Sequence, residues 1–262
     1  MPSQHAEAVQ TPHYEDASGD ALSLEQVAAR LAGARVVYVG ERHDRASDHA
    51  MEDAIAGALG PRAVGLEMFQ RPAQGALDRY DAGTLDEAGL LEETQWARRW
   101  GFDFGFYRPL LERARRDGSP IVALNATSEL VRTISTGGLA SLPDGQRAAL
   151  PALDLGVASH RARFDAAMGD HPDLPPDRVA RFYEAQVVWD ETMAKSVAHY
   201  LSRPGARPML VVAGEMHVRR DAIPERAARR GAAPYAIVLP VDASDLQADR
   251  PDADVLAVFG SR

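Results

Sequence analysis

The feature of this sequence that most limits its fold is a set of short, continuous apolar runs rich in β-branched residues. The clearest of them are RVVYVG (35–40), RAVGLEM (62–68), SPIVALN (119–125) and RPMLVVAG (207–214). Two more runs follow, PYAIVLPV (234–241) and ADVLAVF (253–259). Runs of this kind are typical of strands buried on both faces, as in a parallel sheet. Amphipathic helical stretches separate them, so the sequence predicts an α/β protein with a three-layer α/β/α fold around a mostly parallel sheet.

The same pattern predicts the domain organisation. Residues 1–20 are polar and have no hydrophobic period, so we expect a disordered N-terminal segment. Residues 21–262 then form a single α/β domain, which is an ordinary length for one domain. Within it, residues 126–205 are predicted to be a helical insertion between the third and fourth strands, ending in the long helix 175–203.

Composition excludes several classes of function. The net charge is −9, which opposes a general nucleic-acid or anionic-membrane role. The chain has no cysteine, so thiolate catalysis and Cys-zinc sites are excluded. No apolar run approaches the ~18 residues that a transmembrane helix needs. We therefore expect no transmembrane segment, and either a cytoplasmic protein or an exported one whose signal has been removed.

Polar residues follow the predicted strands where each one ends. The first and fourth runs both stop at Gly-Glu-x-His, giving Glu41 and His43 in one loop and Glu215 and His217 in the other. The second run ends in Glu67 and the third in Asn125. Because the carboxyl ends of parallel strands share one edge of a sheet, these groups are predicted to meet over one crevice.

A metal site is one interpretation of that crevice, with His43, His217, Glu67, Asp190 and Glu41 as candidate ligands. Asp190 lies on the apolar stripe of the long helix and has no cation three or four residues later. The alternatives are plain loop residues after the strands and a core hydrogen bond for Asp190. The remaining histidines that we considered carry no supporting pattern and are predicted at the surface: His5, His13, His160, His171 and His199.

The segment WARRWGFDFGFY (96–107) is dense in aromatic side chains. Such clustering indicates either a helix held against the core or a wall for a flat apolar ligand. The sequence alone leaves both interpretations open.

Several segments together resemble the ChaN-like family of haem-binding proteins: VYVGERHD, GLEMF, FYRPLLERARRDGSPIVALNA, QVVWDETMA and VVAGEMHV. The resemblance runs from about residue 34 to 241. It implies a three-layer α/β/α fold shared with the erythromycin-esterase and TraB/Tiki groups, and a role in iron uptake. It also implies a homodimer that binds haem at the subunit interface, with a tyrosine as the iron ligand and a histidine assisting. Tyr107, assisted by His43 or His217, is the predicted ligand here.

The sequence also departs from that family, which often consists of exported lipoproteins anchored through a cysteine that this chain lacks. Its fourth strand ends in Gly-Glu-Met-His, and the extra carboxylate favours a hard or borderline cation over haem. The alternative function is therefore a metal-dependent hydrolase that binds a divalent metal such as Zn, Mn or Fe, with Glu41 or Glu215 as general base. An inactive scaffold of the same fold is a third interpretation, and whether the chain is an enzyme stays open.

Overall fold

A single mixed sheet lies at the centre of this computed structural model, which describes residues 9–169, 174–247 and 250–260. Within these residues the sheet has eight strands in the order β2-β1-β8-β7-β3-β6-β4-β5. The strands are β1 (His13–Asp16), β2 (Ala21–Leu22), β3 (Val36–Glu41), β4 (Ala63–Gln70), β5 (Ile121–Asn125), β6 (Met209–Gly214), β7 (Tyr235–Asp242) and β8 (Val255–Phe259). The six strands from β8 to β5 are mutually parallel, and all six coincide with the predicted apolar runs.

The expectation of disorder for residues 1–20 is wrong for part of that segment. Strand β1 pairs antiparallel with β8 and with β2, and Tyr14 is buried in the core. Arg250 pairs with the buried carboxylate of Glu15. A four-residue strand with one buried aromatic is too short to give a periodic signal in the sequence. Residues 1–8 lie outside the described part of the chain.

Helices cover both faces of the sheet. They are α1 (Leu24–Leu31), α2 (Ala46–Leu59), α3 (Gln74–Asp81), α4 (Glu87–Glu93), α5 (Trp96–Arg99), α6 (Arg108–Arg116), α7 (Ser128–Gly137), α8 (Asp144–Ala149), α9 (Ala158–Met168), α10 (Pro176–Leu201) and α11 (Ile223–Ala228). Core side chains from α1 to α6 pack on one face of the sheet, and those from α10 and α11 pack on the other. This arrangement is the predicted three-layer fold.

The alternation of side chains along β3 decides where its last residue points. Val37 and Val39 belong to the core beneath α1–α6, whereas Val36 and Tyr38 belong to the core beneath α10 and α11. Because successive side chains of a strand point to opposite faces, Glu41 follows Val37 and Val39 toward the α2 side. Glu41 lies opposite Gly214 in the parallel β3–β6 pair.

The segment between β5 and β6 contains α7, α8, α9 and α10, in line with the predicted helical insertion. Helix α10 packs against β5, α7 and α11. Side chains of α7, α9 and α10 lie over the carboxyl ends of the strands, where they face His43, Asn125 and His217. Among the described helices, none is both long and apolar enough to cross a membrane.

Candidate functional site

A cavity of about 730 Å³ opens beyond the carboxyl ends of β3, β4, β5 and β6. We call it the histidine cavity, because His43 and His217 both line it. Its walls come from the aromatic segment after α5 on one side and from α7, α9 and α10 on the other. Its further lining residues are Glu67, Met68, Gln70, Arg99, Trp100, Phe102, Asn125, Ala126, Ser128, Val131, Arg132, Ser135, Phe164, Met168, Phe182, Ala185, Gln186 and Trp189.

Each histidine of the cavity donates a hydrogen bond to a buried carboxylate. His43 Nδ1 lies 2.6 Å from Glu41 Oε1, and His217 Nδ1 lies 2.6 Å from Asp190 Oδ1. A carboxylate can only accept, so the Nδ1 atoms carry hydrogens and the Nε2 atoms are left for other partners. The side chain of His43 is 29% exposed, against 10% for His217, so His43 is the more accessible of the two.

Glu67 contacts His217, the less exposed histidine of the cavity. Its Oε2 accepts a 2.7 Å hydrogen bond from the backbone nitrogen of Gly214, and its Oε1 lies 3.4 Å from His217 Nε2. Burial lowers the pKa of His217, but the negative charges of Glu67 and Asp190 outweigh it and raise this pKa to about 9. His217 is therefore an imidazolium at neutral pH, held between two carboxylates.

This raised pKa predicts a pH-dependent stability for the protein without ligand. Because the pKa of His217 is about 6.5 when unfolded and about 9 when folded, its charge stabilises the fold fully below about pH 6.5. That stabilisation is lost as the pH rises through about 9. At ~1.4 kcal/mol per unit of pKa shift, we expect the free energy of unfolding to fall by about 3 kcal/mol across this window.

Urea denaturation measured at intervals from about pH 6 to about pH 10 checks the expectation. The decrease in the free energy of unfolding with rising pH should be much smaller in His217→Gln. His199→Gln should show the same decrease as the parent, since His199 is an exposed residue of α10. The same pH dependence of the free energy of unfolding in all three proteins would show that groups other than His217 cause it.

Glycine is required at position 214 because the imidazole of His43 occupies the place of a side chain. A Cβ at Gly214 would lie 2.9 Å from His43 Cε1 and 3.1 Å from its Nε2. In the other motif, a Cβ at Gly40 would lie 2.9 Å from Val218 Cγ2. The two glycines thus provide close packing at the strand ends, and neither has the positive φ that a sharp glycine turn would require.

Gly214→Ala should accordingly displace His43. We expect a loss of about 1–3 kcal/mol in the free energy of unfolding from overpacking, together with weaker binding of any ligand that uses His43. Gly145→Ala is the matched control, because a Cβ there meets nothing within 4 Å. Chemical denaturation and ligand titration of both variants measure the effect, and equal behaviour of the two would contradict it.

Tyr107, the predicted iron ligand, does not line the cavity. The residue is 1% exposed and is absent from the cavity lining. Its hydroxyl donates to Glu41 Oε1 at 2.7 Å and accepts from Trp100 Nε1 at 3.0 Å. Burial and the charge of Glu41 raise the pKa of Tyr107, so it stays a neutral phenol. No tyrosine is among the described residues that line the cavity.

The other predicted site residues are divided between the cavity and its surroundings. Glu67 and Asp190 both contact His217, as predicted. Glu215, one of the two predicted general bases, does not line the cavity, and its carboxylate lies 4.0 Å from Arg219. Glu41 lies behind His43 on the α2 side, because the alternation along β3 turns it away from His217. The five predicted metal ligands therefore do not converge on one point.

Two histidines that the sequence patterns do not single out as functional are buried beside these groups. His160 of α9 is 3% exposed and donates to Asp190 Oδ2 at 2.8 Å, so its predicted surface position is wrong. His49 of α2 is 4% exposed and contacts Glu41 and Glu52. His13 and His199 are exposed as predicted. His5 and His171 lie outside the described residues.

Aromatic rings enclose the accessible histidine. The His43 ring centroid lies 4.7 Å from that of Trp100 and 5.2 Å from that of Phe102. Trp189 contacts His217 edge-on from α10. The aromatic segment is thus divided: Trp96 and Phe104 pack in the core, while Trp100 and Phe102 line the cavity.

Comparison with protein families gives one match that covers most of the chain. A family model described as haem-binding uptake, Tiki superfamily, ChaN matches residues 27–226. The chain belongs to the ChaN family of haem-binding proteins. The predicted resemblance is therefore confirmed, and the family name agrees with a part in iron uptake. Among curated proteins, no significant match is found.

Solved structures confirm that the fold is that of ChaN. The structure titled cofacial heme binding to ChaN of Campylobacter jejuni is similar, with a TM-score of 0.75 and 18% identity over 95% of this chain and 97% of that chain. The type III effector HopBA1 has a TM-score of 0.52 and 11% identity over 91% and 94%. A mutant of the erythromycin esterase EreC in its open conformation has a TM-score of 0.50 and 13% identity over 87% and 77%.

Proposed function

We propose that this member of the ChaN family binds haem in the histidine cavity and that the bound haem serves iron acquisition. The observation that carries the proposal is a carboxylate-backed imidazole, His43, exposed inside an aromatic-walled cavity. The cavity volume of about 730 Å³ falls within the roughly 300–1,000 Å³ of ordinary ligand sites. Trp100, Phe102 and Trp189 supply the flat apolar contacts that a porphyrin needs.

His43 is the proposed iron ligand. Its Nδ1–H donates to Glu41, which fixes the ring and leaves the Nε2 lone pair for iron. A histidine whose other nitrogen is bonded to a carboxylate is a more basic and better oriented ligand. When bound, haem would supply a ferric or ferrous centre, while the chain contributes the ligand and excludes water around it. Tyr107 would act only through Glu41, to which it donates a second hydrogen bond.

Arginines at the cavity rim suit the carboxylates of haem. Arg132 of α7 lines the cavity and makes no ion pair with any described residue. Arg99 also lines it but already pairs with Glu129. A guanidinium binds a carboxylate through two parallel hydrogen bonds, so Arg132 is the proposed partner of one propionate.

The homodimer implied by the resemblance stays part of the proposal. The similar ChaN of Campylobacter jejuni is described as binding haem cofacially. A corresponding arrangement here would need two chains, each presenting its histidine cavity to the other. Measurement of the molar mass in solution with and without haemin tests this part separately.

The experiment that tests haem binding in the cavity uses two neighbouring positions of α7. Ser135 lines the cavity, whereas Thr136 is exposed and does not. Haemin titration of Ser135→Trp should show strongly reduced binding, because the indole fills the cavity. Thr136→Trp should bind as the parent does. Equal binding by both variants would place the haem elsewhere on the chain.

The hydrolase remains a second candidate because of one observation: both histidines of the cavity floor are backed by a buried carboxylate. Glu41–His43 and Asp190–His217 each join a carboxylate to a histidine, an arrangement suited to moving protons. Glu67 lies beside His217 and could accept a proton from water. A divalent metal that copurifies in place of haem, with ester or amide hydrolysis lost in His217→Gln, would favour this function over haem binding.

A further inference from the structure

A group of three buried ionisable side chains lies behind the cavity floor. Glu41 comes from the end of β3, and His49 and Glu52 come from one face of α2, three residues apart. We call them the inner cluster. Among the described residues, this is the group of three acidic or histidine side chains whose donor atoms lie within 4.8 Å of one another. Glu41 and Glu52 are each 1% exposed.

The carboxylates of the inner cluster are short of partners. Glu41 Oε2 and Glu52 Oε1 are buried and accept no hydrogen bond from the described residues. Neither carboxylate pairs with an arginine or lysine there, and their ion-pair contacts are to histidines alone. Two buried carboxylates side by side repel each other unless a proton or a cation lies between them. Burial and the charge of Glu41 raise the pKa of Glu52, which agrees with this repulsion.

The orientation of His49 suits a cation site. Its Nε2 lies 3.2 Å from the backbone oxygen of His43, which can only accept, so Nε2 carries the hydrogen. A protonated ring would donate from Nδ1 to Glu52 Oε2, 3.3 Å away. In the neutral ring Nδ1 carries a lone pair instead, at that distance from Glu52 Oε2 and 3.7 Å from Glu41 Oε2. Three acceptor atoms, the Nδ1 lone pair and two carboxylate oxygens, then face one another, and a cation between them would be attracted by all three. A ring N–H bonded to a backbone carbonyl is also the usual support of a metal-binding histidine.

We propose that the inner cluster binds one divalent first-row transition-metal ion through Glu41, Glu52 and His49 Nδ1. Two carboxylates and one imidazole form a donor set that suits Zn²⁺, Mn²⁺ or Fe²⁺. The ion displaces the proton that otherwise separates the two carboxylates and neutralises both charges. It differs from the metal site predicted from sequence, because neither His217 nor Asp190 takes part. It is also distinct from the haem iron, since it lies on the opposite side of Glu41 from His43.

The test uses the full chain, treated with chelator and free of haem, and Zn²⁺ or Mn²⁺ as the probe. One equivalent of metal per chain should be retained after gel filtration, and added metal should raise the melting temperature, because it binds the folded state only. Glu52→Gln keeps the shape of the side chain and removes its charge. We expect this variant to bind metal about 100-fold more weakly or worse, with the rise in melting temperature lost.

Two further variants locate the metal. Glu93→Gln changes the same charge at an exposed position and should behave as the parent does. Glu67→Gln alters the histidine cavity and should also retain the metal. The proposal is overturned if the parent binds neither ion at one equivalent, or if Glu67→Gln loses the metal while Glu52→Gln keeps it. If Glu52→Gln does not fold, the parent and Glu67→Gln together still decide the question, since a metal in the histidine cavity would be lost from Glu67→Gln, and neither measurement involves haem.

Discussion

His43→Ala is expected to lower the affinity for haemin by at least about 100-fold. Loss of a hydrogen-bond partner behind a metal-ligating histidine already costs roughly 10–100-fold, so loss of the ligand itself should cost more. The fold should be little affected, because the side chain is 29% exposed and lies beyond the end of β3. Titration followed by the haem absorption band measures the affinity, and circular dichroism checks the fold.

His199→Ala is the control for that experiment, since His199 is an exposed histidine remote from the cavity lining. Tyr107→Phe distinguishes His43, the iron ligand proposed here, from Tyr107, the ligand that the family resemblance implies. With His43 as ligand, the spectrum of the haemin complex should keep its form in Tyr107→Phe. A spectrum altered by Tyr107→Phe but unchanged by His43→Ala would show that the tyrosine ligates iron after a rearrangement.

Asp190→Ala is expected to lower the free energy of unfolding by about 3–5 kcal/mol, the usual cost of removing one partner from a buried ion pair. Asp190 is fully buried and accepts from His217 and His160 at once. Burial raises the pKa of Asp190, but the two histidines lower it below its ordinary value. Without the carboxylate, His217 loses one of its two counter-charges and His160 loses a hydrogen-bond acceptor in the core.

Urea denaturation at neutral pH measures this loss, with Asp165→Ala as the matched control. Asp165 forms an exposed pair with Arg161 on α9, and such pairs contribute about 0–1 kcal/mol. A similar small change in both variants would mean that water replaces the Asp190 carboxylate without cost. Asp190→Asn should be the milder substitution, because the amide still occupies the space and accepts one hydrogen bond.

Much of the architecture could be predicted because the central strands are buried on both faces. Val36, Val37, Tyr38 and Val39 are all fully buried, and a run of this kind is visible without any homologue. Strand β1 could not be predicted, since its burial depends on pairing with β8 far along the chain. A sequence pattern records local periodicity, whereas an edge strand is stabilised by a partner that the pattern does not contain.

The sequence predicts which site residues lie at the ends of strands. It does not predict the direction in which each of their side chains points. Glu67, His217 and Asp190 meet as expected, because a shared sheet edge and an apolar helix stripe are both readable in the sequence. The two Gly-Glu-x-His motifs look equivalent in sequence. In the β3–β6 pair, however, they are offset by one residue, so that Glu41 rather than Gly40 lies opposite Gly214. Glu41 is therefore buried toward α2, while Glu215 lies near Arg219 outside the cavity lining.

Tyr107, His49 and His160 show a second limit. Each is buried by residues distant in sequence, and its partner is a carboxylate that the chain brings close only on folding. The family resemblance implied that Tyr107 is the iron ligand, but it gave no information about the side chains that surround its hydroxyl. The position of its hydroxyl, between Glu41 and Trp100, depends on how the chain before α6 packs against α2, which no spacing of residues reveals.

The cavity is assembled from two sources that can change independently. Its floor, with His43, Glu67 and His217, is carried by the strand ends, whereas its roof, with Val131, Phe164 and Trp189, is carried by the insertion. Substitutions in α7 or α9 can therefore reshape the space available to a ligand without moving the groups that would react with it. This modular construction allows the same floor to face ligands of different size, and it makes the insertion the part to exchange when a new specificity is designed.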